Sequence, residues 1–272
     1  MTIFKDKTLG SLGSTLLANL QAGNKTIFSL RDAQKISGRN YNATRMLLRE
    51  LTNKGWLLRL KKGKYMIIAL GEKVGVLKDW YSAAEALVSP HAYYISHYSA
   101  LALHNMTTQP ILAVYISSPG RIRNRNISGI DFRFIYCPLN KLWGIRDIWI
   151  SKQKKVKCSE LERTILDALS RLDLCGGLSE VAKGIWIKRK EIDFEKLLRY
   201  AQKYKVAAVS KRLGFILEIY NLAPQIIREK LKSKQRSYAL LDPTLPKKGH
   251  YSREWMLFIN SNPEELKRII WT

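Results

Sequence analysis

The stretch from residue 40 to residue 70 constrains the fold most, because its hydrophobic period changes once and at a marked point. Over residues 40–51, Ala43, Leu47 and Leu51 recur every four positions, which predicts a helix seated on a core through that face. Thr44, Arg45, Leu48, Arg49 and Thr52 fall on another, mostly polar face. Gly55 sits where a helix end favours positive φ. Two extended runs follow, 56–60 and 65–70, joined by the turn Lys61-Lys62-Gly63-Lys64. A helix running into a basic hairpin is the pattern of a winged helix-turn-helix, with duplex DNA as the expected partner.

Upstream residues complete that motif. Leu9, Leu12, Leu16, Leu17 and Leu20 have helical spacing, and a short extended piece covers residues 26–28. Ser29 and Asp32 stand at capping-box spacing before a second helix that Gly38 stops. The helix after the turn is the one expected in the major groove. The candidate DNA contacts are Arg39, Asn40, Tyr41, Asn42, Thr44, Arg45 and Arg49, with Lys61, Lys62 and Lys64 on the hairpin. Asn40 or Asn42 equally suits the helix N-cap, Tyr41 equally suits packing, and the lysines equally suit a solvated turn.

Charge agrees with a polyanionic partner. Lys and Arg number 47 against 22 Asp and Glu, a net +25. Residues 1–75 hold 14 basic and 4 acidic side chains, and residues 76–272 hold 33 and 18. Cys137, Cys158 and Cys175 are odd in number and widely spaced, which predicts buried reduced thiols. They share no metal-ligand spacing with the four histidines. The first seven residues are charged, so no signal peptide is expected. Residues 86–120 carry no Asp, Glu, Lys or Arg, but proline, histidine and amide residues interrupt them too often for a membrane span. The expected location is the cytoplasm.

The expected fold class is α+β, divided into a winged-helix domain at 1–75 and a larger mixed domain at 76–272. In the latter, residues 80–87 and 99–104 suggest helical turns. Residues 113–116, 131–136 and 148–150 suggest strands flanking a basic loop with Arg121, Arg123 and Arg125. From Cys158 the chain reads as mainly helical. Ser159 to Glu162 resemble a second capping box, and helices are expected at 178–186, 193–204, 206–222 and 224–232. A late strand over 255–259 and a final helix opened by Asn262 close the chain. Arg163 and Asp167 form an i,i+4 pair with Arg171 one turn on, the pattern of a surface ion-pair ladder. His97 reads as a hydrogen-bonded core histidine. No catalytic, cofactor or metal-binding motif is evident, so no enzymatic activity is expected.

Several blocks are similar to the AbiEi antitoxins of abortive-infection (type IV) toxin–antitoxin systems. They are residues 95–110, 159–167 with 175–178, 212–218, and 241–249 with 255–260, in that order along the chain. The resemblance implies a winged-helix domain that binds inverted repeats in its own promoter and represses it. It also implies a C-terminal domain that counters a nucleotidyltransferase-type toxin encoded next door, with direct contact left open. Glu162, Arg163, Asp167 and Arg212 mark that domain, a structural role among those open to them. Inverted repeats imply self-association on DNA. The alternatives are a nuclease or toxin-modifying transferase delivered by a winged helix, and a plain ligand-sensing regulator.

Overall fold

The computed structural model describes residues 9–68, 80–110, 112–152, 154–232 and 237–268. The charged N-terminus, the last two residues of the second extended run and the domain boundary at 75/76 lie outside them. The chain divides into two compact units, residues 1–92 with 124–132, and 93–123 with 133–272.

In the first unit the order is α1 (Ser11–Ala22), β1 (Ile27–Ser29), α2 (Leu30–Ser37), α3 (Tyr41–Asn53), β2 (Leu57–Lys61), β3 (Lys64–Ile67) and α4 (Trp80–Val88). Local chemistry sets the boundaries of the helix pair. Ser29 Oγ accepts from the Asp32 amide at 3.1 Å, and the Asp32 carboxylate accepts from the Ser29 amide at 2.8 Å. Gly38 ends α2 in the left-handed region at φ 64°. Asn40 then caps α3, its Oδ1 accepting from the Ala43 amide at 2.9 Å. The strands order as β1-β3-β2, all antiparallel, with Phe28 and Tyr65 stacked 5.9 Å apart. Leu16, Leu20, Ala33, Leu48, Leu51 and Trp56 fill the space between helices and sheet. Residues 124–132 add a short hairpin in which Asn126 pairs with Asp131.

The buried stripe of α3 differs from the expected one. Thr44, Leu48 and Leu51 face the core, while Ala43 and Leu47 are only half-buried. Thr44 tolerates full burial because its hydroxyl donates to the Asn40 carbonyl at 2.9 Å, leaving its methyl to pack. Arg45 and Arg49 stay on the exposed side.

The chain continues through β4 (Tyr94–Ile95), α5 (His97–Leu103), β5 (Ala113–Ser118), β6 (Arg125–Ile127), β7 (Ile130–Tyr136), β8 (Ile145–Ser151) and β9 (Lys154–Ser159). Then come α6 (Leu161–Ser170), α7 (Gly177–Ile187), α8 (Phe194–Tyr204), α9 (Ala207–Ile219) and α10 (Gln225–Leu231). The end holds β10 (Ala239–Leu240), β11 (His250–Ser252), β12 (Leu257–Ile259) and α11 (Pro263–Arg268). In the second unit the strands order as β7-β5-β4-β9-β8, and β4 pairs antiparallel with β5 but parallel with β9. A separate small sheet orders β10-β12-β11. The class is α+β, as expected.

Helix α6 is the axis of this unit: every residue from Leu161 to Leu169 is buried. The four helices after it, the C-terminal helix and buried Cys137, Cys158 and Cys175 without disulfides match the expectations. One expectation fails here, and one element was not anticipated. Residues 154–159 are a strand, whose signal was the exposed–buried alternation of Lys155, Val156, Lys157 and Cys158. No capping box forms at 159–162, because Ser159 still belongs to that strand and its hydroxyl bonds Thr164 Oγ1 at 2.7 Å. The late strand is shorter than expected, since Met256 adopts φ 50° and breaks it before Leu257.

His97 is buried, with Nδ1 2.9 Å from Ser96 Oγ, and burial pulls its pKa from 6.5 down to about 4. The unfolded chain therefore binds the extra proton between those two values. The His97 contribution should be present above pH 6.5 and be lost as the pH drops toward 4, by about 3 kcal/mol, with the buried His104 adding to the same slope. Urea unfolding across that range should show the loss, and His97→Asn should make it shallower. An unchanged slope in that variant would reject the assignment.

Candidate nucleic-acid interface

The exposed side of α3 and the β2–β3 hairpin enclose a groove of about 970 Å³. Tyr41, Arg45 and Arg49 line it at four-residue spacing along one helical face. Arg31 enters from the first turn of α2, Arg59 from β2 and Lys62 from the hairpin turn. Thr52 and Asn53 supply neutral polar groups at the end of α3. The turn is fixed in place: Gly63 takes φ 74°, and its carbonyl accepts from the Leu30 amide at 3.0 Å. This bond ties the hairpin tip to the start of α2.

The five cations share the groove with no carboxylate. Among the described residues none of them forms an ion pair, whereas Lys25–Asp32 and Lys54–Glu50 elsewhere in this unit do. Asp32, next to Arg31 in sequence, has its charge absorbed by the Ser29 hydroxyl and amide, which hold it well below the usual carboxylate range. A concave surface with five cations and a few neutral donors suits a ligand carrying several anionic oxygens.

The candidate residues named from the sequence separate in the structure. Arg45, Arg49, Lys62 and the 52% exposed Tyr41 meet in the groove. Arg39, Asn40 and Asn42 are exposed at the start of α3, with Asn40 as its cap. Lys64 is half-buried on β3 opposite Ser29 and does not line the groove. Thr44 is withdrawn as a DNA contact because it lies wholly inside the core.

Lys61 is also withdrawn. Its ammonium donates to the Leu87 carbonyl at 3.1 Å and the Ser89 carbonyl at 2.8 Å, where α4 ends. Cations favour that end of a helix. Burial, then the neighbouring Lys64 and Arg125, lower its pKa. Arg31 and Arg59 were missed. The available signal for Arg59 was its position as the one charged residue in the apolar run 57–60, and for Arg31 its place just after a capping serine.

The second set of marked residues is not a surface. Glu162, Arg163 and Asp167 are almost fully buried, which overturns the exposed ladder. Arg163 Nε meets Asp167 Oδ1 at 2.9 Å, and Tyr94 and Tyr204 each donate to the same carboxylate, at 3.1 and 3.0 Å. The guanidinium also lies 4.2 Å from the Trp143 ring. Arg171 points elsewhere and pairs with Asp173. Glu162 accepts from the Asp193 amide at 3.2 Å and pairs with Lys196 at 2.9 Å. Arg212 donates to the carbonyls of Leu169, Leu240 and Leu241, which joins α6, α9 and β10. All four residues bind the unit together. Among the described residues no cluster of His, Cys, Asp and Glu is placed to hold a metal ion.

A buried cation deprived of its partner costs about 3–5 kcal/mol. Asp167→Ala should lose stability on that scale in urea unfolding, and adding Arg163→Met should restore part of it. If the double variant is no more stable than the single one, the pair is not the source of the loss.

Comparison with known proteins bears on both units. No curated protein matches the chain significantly. The crystal structure of the RV2827C protein from Mycobacterium tuberculosis is similar in fold, with a TM-score of 0.75 over 98% of this chain and 97% of that one, at 14% identity. Among the described residues no helix is long and apolar enough to cross a membrane. Residues 16–68, which build the groove, match the family described as "Transcriptional regulator, AbiEi antitoxin".

Proposed function

We propose that this protein is a DNA-binding repressor and antitoxin of a type IV, AbiE-like abortive-infection system acting in phage defence. The observation that carries the reading is the groove beside α3 lined by five cations that are unpaired among the described residues. In this reading residues 9–68 form a winged helix-turn-helix whose recognition helix is α3 and whose wing is the β2–β3 hairpin. Arg45 and Arg49 enter the major groove and meet base edges, most favourably guanine. Arg31, Arg59 and Lys62 neutralise flanking phosphates. Two copies occupy the inverted repeats of the operon's own promoter. The second unit counters a nucleotidyltransferase-type toxin encoded beside it, and no catalytic chemistry is required of this cytoplasmic protein. The family match at residues 16–68 supports the regulator and antitoxin assignment.

Anisotropy titration against the promoter fragment tests the proposal. Arg45→Ala with Arg49→Ala should weaken binding by about 1–3 kcal/mol for each base edge left unread. Lys62→Ala should weaken all sequences alike and reduce the salt dependence by roughly one neutralised phosphate. Lys61→Met should leave that salt dependence unchanged, since its ammonium is already committed to α4. Wild-type affinity in the double arginine variant would refute the DNA assignment. Co-expression with the adjacent gene tests the antitoxin half, where failure to rescue growth counts against it.

A further inference from the structure

The small sheet β10-β12-β11 carries aromatic rings on the face where a half-exposed sheet ordinarily carries polar side chains. Leu257 and Ile259 belong to the core of the second unit, so Phe258 between them points to the opposite face. Tyr251 is its cross-strand partner, and the two rings lie 4.9 Å apart. Tyr238 continues the row, 4.7 Å from Tyr251. Tyr251 is 56% exposed and Tyr238 41%, so the row is open to solvent at two of its three rings.

The charge around this row is mostly positive. Lys247 stands 5.5 Å over the Phe258 ring, and Lys247, Lys248, His250 and Arg253 are all exposed. Two carboxylates lie nearby: that of Glu254, exposed and paired with Lys232 at 3.2 Å, and that of Asp242, which is buried. Its oxygens are taken by the amides of Leu178 and Thr244, at 2.9 and 2.8 Å, and by the Thr244 hydroxyl. Asn260 Nδ2 donates to the Asp242 carbonyl at 2.7 Å, fixing the start of the loop that displays the lysines. Gly249 passes so close to strand β12 that a Cβ there would lie 1.8 Å from the Ile259 carbonyl oxygen. Thus a built loop, one of the blocks singled out in the sequence, holds cations beside an aromatic row, and the promoter-binding reading leaves it unused.

Aromatic rings flanked by cations on a sheet suit unpaired bases, which stack on the rings while their phosphates meet the lysines and arginine. A duplex does not fit, because its base faces are already stacked on one another. Unpaired bases are what RNA loops and ends present, and tyrosine hydroxyls can pair with ribose 2′-OH groups. We infer that the exposed Tyr238 and Tyr251 rings, backed by the buried Phe258, form with Lys247, Lys248 and Arg253 a binding surface for single-stranded RNA. It is independent of the groove in the first unit.

The full chain titrated against a short fluorescein-labelled unstructured RNA tests this by anisotropy, with the same sequence as single-stranded DNA and as duplex DNA in parallel. Tyr251→Ala should weaken RNA binding about tenfold. Tyr251→Phe should retain most of the affinity, and Lys248→Ala with Arg253→Ala, both outside the core, should lower it and its salt dependence. Arg45→Ala with Arg49→Ala should leave RNA binding unchanged, while Tyr251→Ala should leave duplex binding unchanged, so the two surfaces fail separately. Wild-type RNA affinity in both Tyr251→Ala and the Lys248/Arg253 variant overturns the surface. Equal affinity for the DNA homologue overturns the assignment to RNA.

Discussion

The seating of α3 is the constraint from which the rest of the first unit follows. Thr44, Leu48 and Leu51 go into the core, and successive helix residues are about 100° apart. With those three inside, Arg45 and Arg49 can only face outward. Burial of two leucines is worth roughly 1.5–3 kcal/mol each, more than the cost of holding two arginines exposed in water. The Leu30–Gly63 backbone bond then brings the hairpin alongside, so a cationic surface arises from an apolar decision made on the other side of the helix.

The second unit rests on a different compromise. Its central helix is surrounded on every side, yet its sequence includes Glu162, Arg163 and Asp167. Each of those charges is met within the fold by an ion pair, a tyrosine hydroxyl, a backbone group or an aromatic face. Such arrangements are sensitive to loss of a single member, because the remainder is left desolvated without a partner. They also demand one register, since a helix shifted by a residue would strand several charges at once.

What was legible in the sequence was local. The Ser29–Asp32 box, the stop at Gly38 and the Asn40 cap all lie within a few residues of their partners. What was not legible is long-range. Lys61 finds its acceptors 26 and 28 residues away, Glu162 meets the Asp193 amide 31 residues on, and Arg212 spans up to 43 residues to Leu169. Nothing in the neighbouring residues announces such partners. Charged residues on a helix usually belong to solvent, and here that default fails. Thr44 was misplaced for a similar reason: it reads as polar until its hydroxyl is satisfied by its own helix. The groove was half visible, through Arg45, Arg49 and Lys62, while Arg31 and Arg59 join it only because α2 and β2 converge there.

Lys61 illustrates how the fold edits a formal charge count. An ammonium already resting on two carbonyls has given up part of its hydration and has little left to exchange for a polyanion's counterions. Of the three lysines in the hairpin turn, only Lys62 reaches the groove. The effective valence of such a protein toward a polyanion is set by the ammonium and guanidinium groups its folding leaves hydrated, and a tally of basic residues along the chain overstates it.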